Sequence, residues 1–231
     1  MDGHEDENRP NGGANSGARR RRMPRRERER QIVDVAVRVF AQRGYHAASV
    51  DEIAELAGIS KPMVYLYLDS KEGLFLACVH REAERLTAAF QDAAREADAA
   101  APELRLRAGL SAFFAFVAEH RDAWVVLHRQ ATQLSDASTE ELARARRAVM
   151  GEVAGLVRDS VPARTGTVEL DATETDFVAH ALVGAADTLT DWMDHHPQET
   201  PDRVTLRLMN MLWIGMRNVL EGETWLPPKT D

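Results

Sequence analysis

The spacing of apolar positions predicts helices along most of the chain. Apolar residues recur three and four positions apart, which is typical of a helix that buries one face. No segment alternates apolar and polar residues as half-buried strands do. Glycine, proline and capping residues divide the pattern into about nine helices, at 26–43, 50–57, 61–67, 71–99, 103–119, 122–130, 138–159, 172–195 and 202–220. The sequence therefore predicts an all-α fold without a sheet.

Two short predicted helices form a helix-turn-helix pattern. Ser49 and Glu52 have the spacing of a capping box, in which each side chain bonds a backbone N–H of the first helical turn. Gly58 ends the first helix, and Ser60 caps the second, whose first turn contains Pro62. This pattern is typical of proteins that insert the second helix into the major groove of DNA. A plain helical hairpin within a helical core is the alternative.

The second of these helices has a side that suits contact with DNA. Val64 is expected to face the core, which turns the neighbouring polar and large side chains outward. Phosphate contacts are expected from hydroxyl groups and from Lys71 at the start of the next helix, where backbone N–H groups also favour anions. Tyr45 suits either a phosphate contact or packing. The predicted DNA-contacting residues are Ser49, Ser60, Lys61, Pro62, Met63, Tyr65, Tyr67, Lys71 and Tyr45, with Arg25 and Arg26.

These motifs and their flanks resemble a known family. The segments 32–40, 43–45, 49–67 and 69–75 are similar, in register, to the DNA-binding domain of TetR-type transcriptional regulators. Ala48 and Leu68 stand where that family often has Thr and Phe. The resemblance covers about 27–78 and implies a dimeric repressor, whose C-terminal helical domain binds a small molecule and then releases operator DNA. An activator, or a repressor without an inducer, has the same fold and is an alternative.

The resemblance divides the chain into three parts. Residues 1–25 are predicted to be a disordered basic arm, because they are polar and offer almost nothing to bury. Residues 26–86 are predicted to hold the DNA-binding domain and a linker helix, and residues 87–231 the ligand-binding and dimerisation domain. The arginines at 19–22, 25 and 26 suit contact with phosphates or the minor groove. The alternative interpretation is that these arginines are simply solvated charges that do not contact DNA.

The charge distribution supports contact with DNA despite a net charge of −8. Residues 9–71 contain thirteen Lys and Arg against seven Asp and Glu, whereas residues 72–231 contain sixteen against twenty-six. A basic end on an acidic body is expected where one end meets phosphates. The sequence shows no signal peptide or membrane span, and its one cysteine, Cys78, suits a reducing compartment, so we expect a cytoplasmic protein.

The C-terminal half contains a set of aromatic and histidine side chains that suit a ligand pocket. Pockets in helical bundles are mostly apolar with a few polar groups. The resemblance implies a small effector molecule, and the composition of this half favours an apolar or aromatic one. The candidate ligand-binding residues are Phe113, Phe116, Trp124, His128, Phe177, His180 and Trp192. The alternative is that these aromatics are ordinary core residues.

Catalytic, metal and cofactor sites are not predicted. Asp191 and His195 have ligand-compatible spacing, but nothing nearby in the sequence completes a metal site. The usual catalytic motifs are absent, so an enzyme, or a helical carrier of small molecules, is only a rival interpretation.

The last two predicted helices suit a homodimer interface. The final helix is apolar nearly all round, which indicates burial on most sides, either as a central core helix or against a second copy. The predicted interface residues are Leu182, Ala185, Leu189, Leu208, Met209, Leu212, Trp213 and Met216.

Overall fold

A computed structural model describes residues 23–97, 101–128, 136–160 and 172–220. These ranges contain nine helices and no strand, which confirms the all-α prediction. The helices are α1 Arg25–Ala47, α2 Val50–Leu56, α3 Lys61–Leu68, α4 Lys71–Glu96, α5 Pro102–Glu119, α6 Arg121–His128, α7 Asp136–Ser160, α8 Ala172–Asp194 and α9 Pro201–Leu220. Residues 1–22 of the predicted arm and the predicted helix ends at Ala99 and Gln130 lie outside the described residues.

Helices α1 to α3 and the first half of α4 enclose one hydrophobic core. Ile32, Phe40, Ile53, Val64 and Phe75 are fully buried in it. Apolar residues three and four apart on each helix supply these contacts, as the sequence pattern predicts. α1 leaves helical geometry at Gly44, whose φ of 79° suits glycine, and then makes one more turn. The N-terminal part is therefore a compact three-helix unit attached to α4.

The predicted caps are only partly formed. The Ser49 hydroxyl accepts a hydrogen bond from the backbone N–H of Asp51 at 3.1 Å. Glu52 bonds Arg43 at 3.4 Å, so the second half of the expected capping box is wrong: the arginine replaces the backbone as its partner. Ser60 has the extended backbone of an N-cap, but its side chain makes no capping hydrogen bond.

Helix α4 joins the two halves of the chain. Its 26 residues make it about 39 Å long. Leu74 and Phe75 at its start lie in the first core, whereas Leu86 and Phe90 lie in a second core formed with α5 to α9. A change in the second core can therefore reach the helix-turn-helix through a single rigid element.

A buried acidic side chain lies between the two cores on α4. Glu82 is fully buried and accepts hydrogen bonds from Arg81 Nε at 2.8 Å and Arg85 at 3.0 Å. Arg81 also pairs with Asp34 of α1 at 2.6 Å. The cluster thus satisfies a buried charge and ties α1 to α4.

Some predicted interface residues lie inside the protomer. Leu182, Leu208 and Met209 are buried in the second core. The expectation that they form an interface is corrected, because their faces of α8 and α9 pack within the same chain. Ala185, Leu189, Leu212 and Trp213 are partly exposed beside this core, and the side chain of Met216 lies outside the described residues. None of the helices in the described ranges is long and apolar enough to cross a membrane.

Candidate functional site

Helix α3 presents one exposed face to solvent. Val64 and Leu68 are buried and fix its orientation on the first core. Lys61 and Pro62 are exposed in its first turn, and Leu66, one turn after Pro62, is 64% exposed. Leu66 is not among the DNA-contacting residues predicted from the sequence. The four-residue spacing from Pro62 was the signal that would have identified it.

The tyrosines predicted to contact DNA are only partly exposed. Tyr65 and Tyr67 pack against the edge of the first core, so each has one side left to meet a partner. Tyr45 packs near Phe40 and Phe75, with ring centroids 6.1 Å and 5.2 Å away. Burial, followed by the negative charge of Glu72, raises the pKa of Tyr45. Tyr45 is therefore mainly a packing aromatic.

Two lysines lie at the N-termini of α3 and α4. The Lys61 ammonium donates a hydrogen bond to Asp51 of α2 at 2.8 Å, and this bond raises the pKa of Lys61. Lys71 donates to the backbone carbonyl of His46 at 3.0 Å and lies 5.0 Å from the centre of the Tyr45 ring. Burial lowers the pKa of Lys71. Both cations are held in place beside helix N-termini, which also favour anions.

The arm arginines at 25 and 26 lie in different places. The Arg25 guanidinium lies 5.2 Å from the centre of the Tyr67 ring, which brings it to the C-terminal end of α3. Arg26 instead lines a groove of about 360 Å³ between α1 and α4, together with Glu29, Arg30 and Arg81. The structure brings Arg25 to α3 and places Arg26 in the groove between α1 and α4. Arginines 19–22 lie outside the described residues.

We expect Asp51→Asn to strengthen binding to DNA. Asp51 holds Lys61 and adds a negative charge to a surface proposed to meet phosphates. Removing that charge frees the lysine and should raise affinity about threefold to tenfold at low salt, and less at high salt. Fluorescence anisotropy with a duplex at several salt concentrations measures this. Unchanged or weaker binding would show that Asp51 does not face the DNA.

Two largely apolar cavities share wall residues, the first in the second core and the second between the two cores. The first cavity has a volume of about 60 Å³ and the second about 260 Å³. Apolar side chains of α4, α5, α7 and α8 line the first, including Phe90, Leu106, Phe113, Leu156 and Leu182. The second extends towards α6 and is lined by Val79, Ala83, Leu127, His128, Ala145 and Met150, among others. The volume of the second approaches the lower end of the range for small-molecule pockets, about 300 Å³.

The two cavities meet at shared wall residues. Leu86, Trp124, Val149, Val183 and Asp187 line both of them. Among the described residues that line both cavities, Asp187 is the only ionisable one. Its carboxylate lies 3.5 Å from His128 Nδ1, and the His128 ring stacks on Trp124 at 5.0 Å. The Trp124 indole donates to the Thr190 hydroxyl at 3.0 Å, which fixes the aromatic wall.

The structure separates the predicted ligand-binding residues into two groups. Phe113 and Trp124 line the first cavity, and Trp124 and His128 line the second. Phe116 is buried but lines neither, while Phe177 is 73% exposed on α8 and His180 and Trp192 are also exposed. Phe116, Phe177, His180 and Trp192 line neither of these two cavities, so their role as ligand contacts stays a prediction.

The residues considered as a metal site or as a reactive thiol have structural roles. His195 donates from Nδ1 to the carbonyl of Asp191 at 2.9 Å, a contact within one helix end. Across the described ranges, no three His, Cys, Asp or Glu side chains are grouped so that they could hold a metal ion. Cys78 is fully buried in the first core, and burial raises its thiol pKa well above the ordinary range, so the reactive thiolate is disfavoured.

Comparison with known proteins agrees with this geometry. Residues 32–78 match the family model of bacterial regulatory proteins of the tetR family, and residues 102–215 match a tetracyclin repressor-like C-terminal domain. The HTH-type transcriptional activator FasR of Mycolicibacterium smegmatis is 32% identical over 215 residues, which are 92% of each chain. The chain belongs to the TetR family. This TetR-family protein is a DNA-binding, ligand-responsive transcriptional regulator.

Solved structures of TetR-family proteins have the same fold. A TetR-like transcriptional regulator from Rhodococcus sp. RHA1 is 36% identical with a TM-score of 0.68, and the match covers 85% of this chain and 99% of that one. The transcriptional regulator FadR from Bacillus subtilis, solved in complex with stearoyl-CoA, is 20% identical with a TM-score of 0.68, covering 79% of this chain and 96% of that one. At that identity, FadR supports the fold alone. Regulators of this family bind operator DNA and small effectors and act as dimers.

Proposed function

We propose that this regulator binds its operator as a homodimer and is released by a molecule that carries a fatty acyl chain. The observation that supports the proposal is the pair of largely apolar cavities that share wall residues, one in the second core and one between the two cores. A hydrocarbon chain is an apolar ligand that suits largely apolar cavities, and its binding gains free energy in proportion to the apolar area that it buries. The FadR complex with stearoyl-CoA supports this ligand class by analogy of fold.

The α3 helices of the two protomers would read the operator. Lys61, Pro62 and Leu66 form the exposed face proposed to meet base edges, flanked by Lys71 and Arg25 for phosphates. A two-fold dimer reads two half-sites about 34–36 Å apart, one turn of DNA. Apolar residues left exposed on the last two helices suit the dimer contact, namely Phe177 and Trp192 on α8 and Leu206 and Met211 on α9.

Helix α4 would carry the signal between the two sites. Val79, Ala83 and Leu86 of α4 line the cavities, and Lys71 begins the same helix beside α3. A ligand that fits only a displaced arrangement of α4 stabilises that arrangement and changes the separation of the two α3 helices. The proposed release therefore needs no contact between ligand and DNA.

The direction of regulation depends on where the operator lies. A dimer that covers a promoter represses by excluding polymerase, which is the effect we propose first. Activation is the second candidate, because the FasR relative, which matches over 92% of each chain, is a transcriptional activator. A reporter gene placed behind the chain's own upstream DNA distinguishes the two: deleting the regulator raises expression under repression and lowers it under activation.

The proposed function is tested by release of the protein from DNA. We expect a long-chain acyl thioester to lower affinity for an operator duplex about tenfold or more in fluorescence anisotropy. Gly109→Leu should prevent this release and preserve DNA binding. A Cβ at Gly109 would lie only 2.7 Å from Leu156 Cδ1 on the wall of the first cavity, so a leucine side chain there must displace Leu156 into the space.

Gly151→Leu is the matched control for this experiment. Gly151 is exposed on α7 and has no side chain within 4 Å of an added Cβ, so the same new leucine leaves the cavities unchanged. This variant should release DNA like the wild type. If acyl thioesters do not alter DNA binding by the wild type, or if Gly109→Leu responds normally, the cavities are not the effector site.

A further inference from the structure

Leu66 is an apolar side chain at the centre of the exposed face of α3. An α-helix turns by about 100° per residue, so Leu66 lies about 200° round the helix from Val64, which is fully buried. Pro62, four residues earlier, lies beside Leu66 on the same face and is also exposed. Met63 and Tyr65, at the two edges of this face, are partly buried. The part of α3 that projects furthest from the first core is therefore apolar.

Cationic side chains lie at both ends of this apolar pair. Lys61 is exposed in the first turn of α3, and the Arg25 guanidinium lies 5.2 Å from the centre of the Tyr67 ring, near the last turn. A single exposed leucine on a protein surface is ordinary. Leu66 differs because cations flank it on a helix that belongs to a DNA-binding domain, at 32–78. Phosphates border the bases in the same way along a DNA groove, so this face suits DNA better than an apolar protein surface.

We infer that Leu66 reads the 5-methyl group of thymine in the operator. An aliphatic side chain has no hydrogen-bond donor or acceptor, so it distinguishes bases through apolar contact. In the major groove, the apolar group that marks one base is the methyl group of thymine. Burying one such group changes affinity about fourfold. This inference rests on the proposed contact between the exposed face of α3 and base edges, and it assigns one base to that face.

Replacing thymine by uracil tests the inference, because the change removes the methyl group and keeps the hydrogen-bonding groups of the base. The probe is the duplex that the purified full-length protein selects from a library of random sequences. Uracil then replaces thymine at one position at a time, in both half-sites together. For at least one position we expect the wild-type affinity in fluorescence anisotropy to fall about tenfold or more, since two methyl groups are lost.

Variants at position 66 show whether Leu66 causes the uracil effect. Leu66→Ala should bind the thymine and uracil duplexes with affinities within about twofold of each other, because its side chain no longer reaches the methyl group. Its Tm should stay close to that of the wild type, since Leu66 is 64% exposed. Leu66→Met keeps an apolar side chain of similar volume and should retain most of the preference for thymine.

Leu104→Ala is the matched control for Leu66→Ala. Leu104 is a leucine that is 46% exposed on α5, in the other half of the chain. The substitution removes the same atoms from a surface that the proposed function does not place on DNA. This variant should lose affinity on uracil replacement as much as the wild type does.

The outcomes separate this inference from the proposed function. If the wild type selects a sequence but uracil never weakens binding, or if Leu66→Ala keeps the uracil effect, Leu66 does not read thymine and the DNA-binding function stands. If the wild type selects no sequence, the proposed operator contact of α3 fails and the inference fails with it. A uracil effect that is lost in Leu66→Ala and kept in Leu104→Ala establishes Leu66 as a specificity-determining residue.

Discussion

Replacing Lys61 by glutamate is expected to reduce operator affinity at least about 100-fold and to leave the fold intact. Lys61 is exposed in the first turn of α3, and its ammonium donates a hydrogen bond to the exposed Asp51. The substitution removes a cation and adds an anion on the face proposed to meet DNA, once in each half-site of a dimer. Folding should be unaffected, because an acidic residue at a helix N-terminus interacts favourably with the helix dipole.

Anisotropy titrations at several salt concentrations measure the effect of Lys61→Glu. The slope of log affinity against log salt should become shallower, because each half-site loses a positive charge from the surface that meets the DNA and gains a negative one. Arg147→Glu is the matched control, because Arg147 is an exposed arginine on α7 in the other half of the chain. If Lys61→Glu binds operator like the wild type while Arg147→Glu does not, the proposed DNA surface is misplaced.

The helix-turn-helix was predictable because its determinants are local. Gly58, with φ of 66°, and Pro62 define the turn and the start of α3 within a few residues, whatever the rest of the chain does. Val64 and Leu68 then fix which side of α3 is buried. The capping box failed for a tertiary reason: Arg43 reaches Glu52 from α1, a contact nine residues away along the chain that the motif does not anticipate.

The ligand site was only partly predictable, because it depends on how helices face each other. Phe113 and Phe116 lie on the same helix and look alike in sequence, yet Phe113 lines the first cavity whereas Phe116 lines neither of the two. The sequence pattern does not distinguish Asp187, which lines both cavities, from the other acidic residues of α8. The apolar pattern of α9 predicts burial on most sides, and this prediction holds only in part. Leu208 is buried, whereas Met211, three residues further along the helix, is 72% exposed.

Glu82→Ala is expected to destabilise the protein by about 3 kcal/mol, the lower end of the range for breaking a buried ion pair. Glu82 is fully buried on α4, and the substitution removes its bonds to Arg81 and Arg85. The cost is limited because Arg81 keeps its pair with Asp34 and the side chain of Arg85 is 45% exposed. For a chain of this size we expect a fall in Tm of roughly 6–12 °C, measured by circular dichroism.

Glu84→Ala is the control for this stability measurement, because Glu84 is exposed on α4 two residues away. Its Tm should stay within about 2 °C of the wild type, since isolated surface substitutions change stability by about 0.5 kcal/mol or less. Glu82→Leu separates charge from packing: a buried apolar side chain of similar size should recover part of the lost stability if Arg81 and Arg85 can turn to solvent. Equal Tm values for Glu82→Ala and Glu84→Ala would mean that the cluster contributes nothing to the connection between α1 and α4.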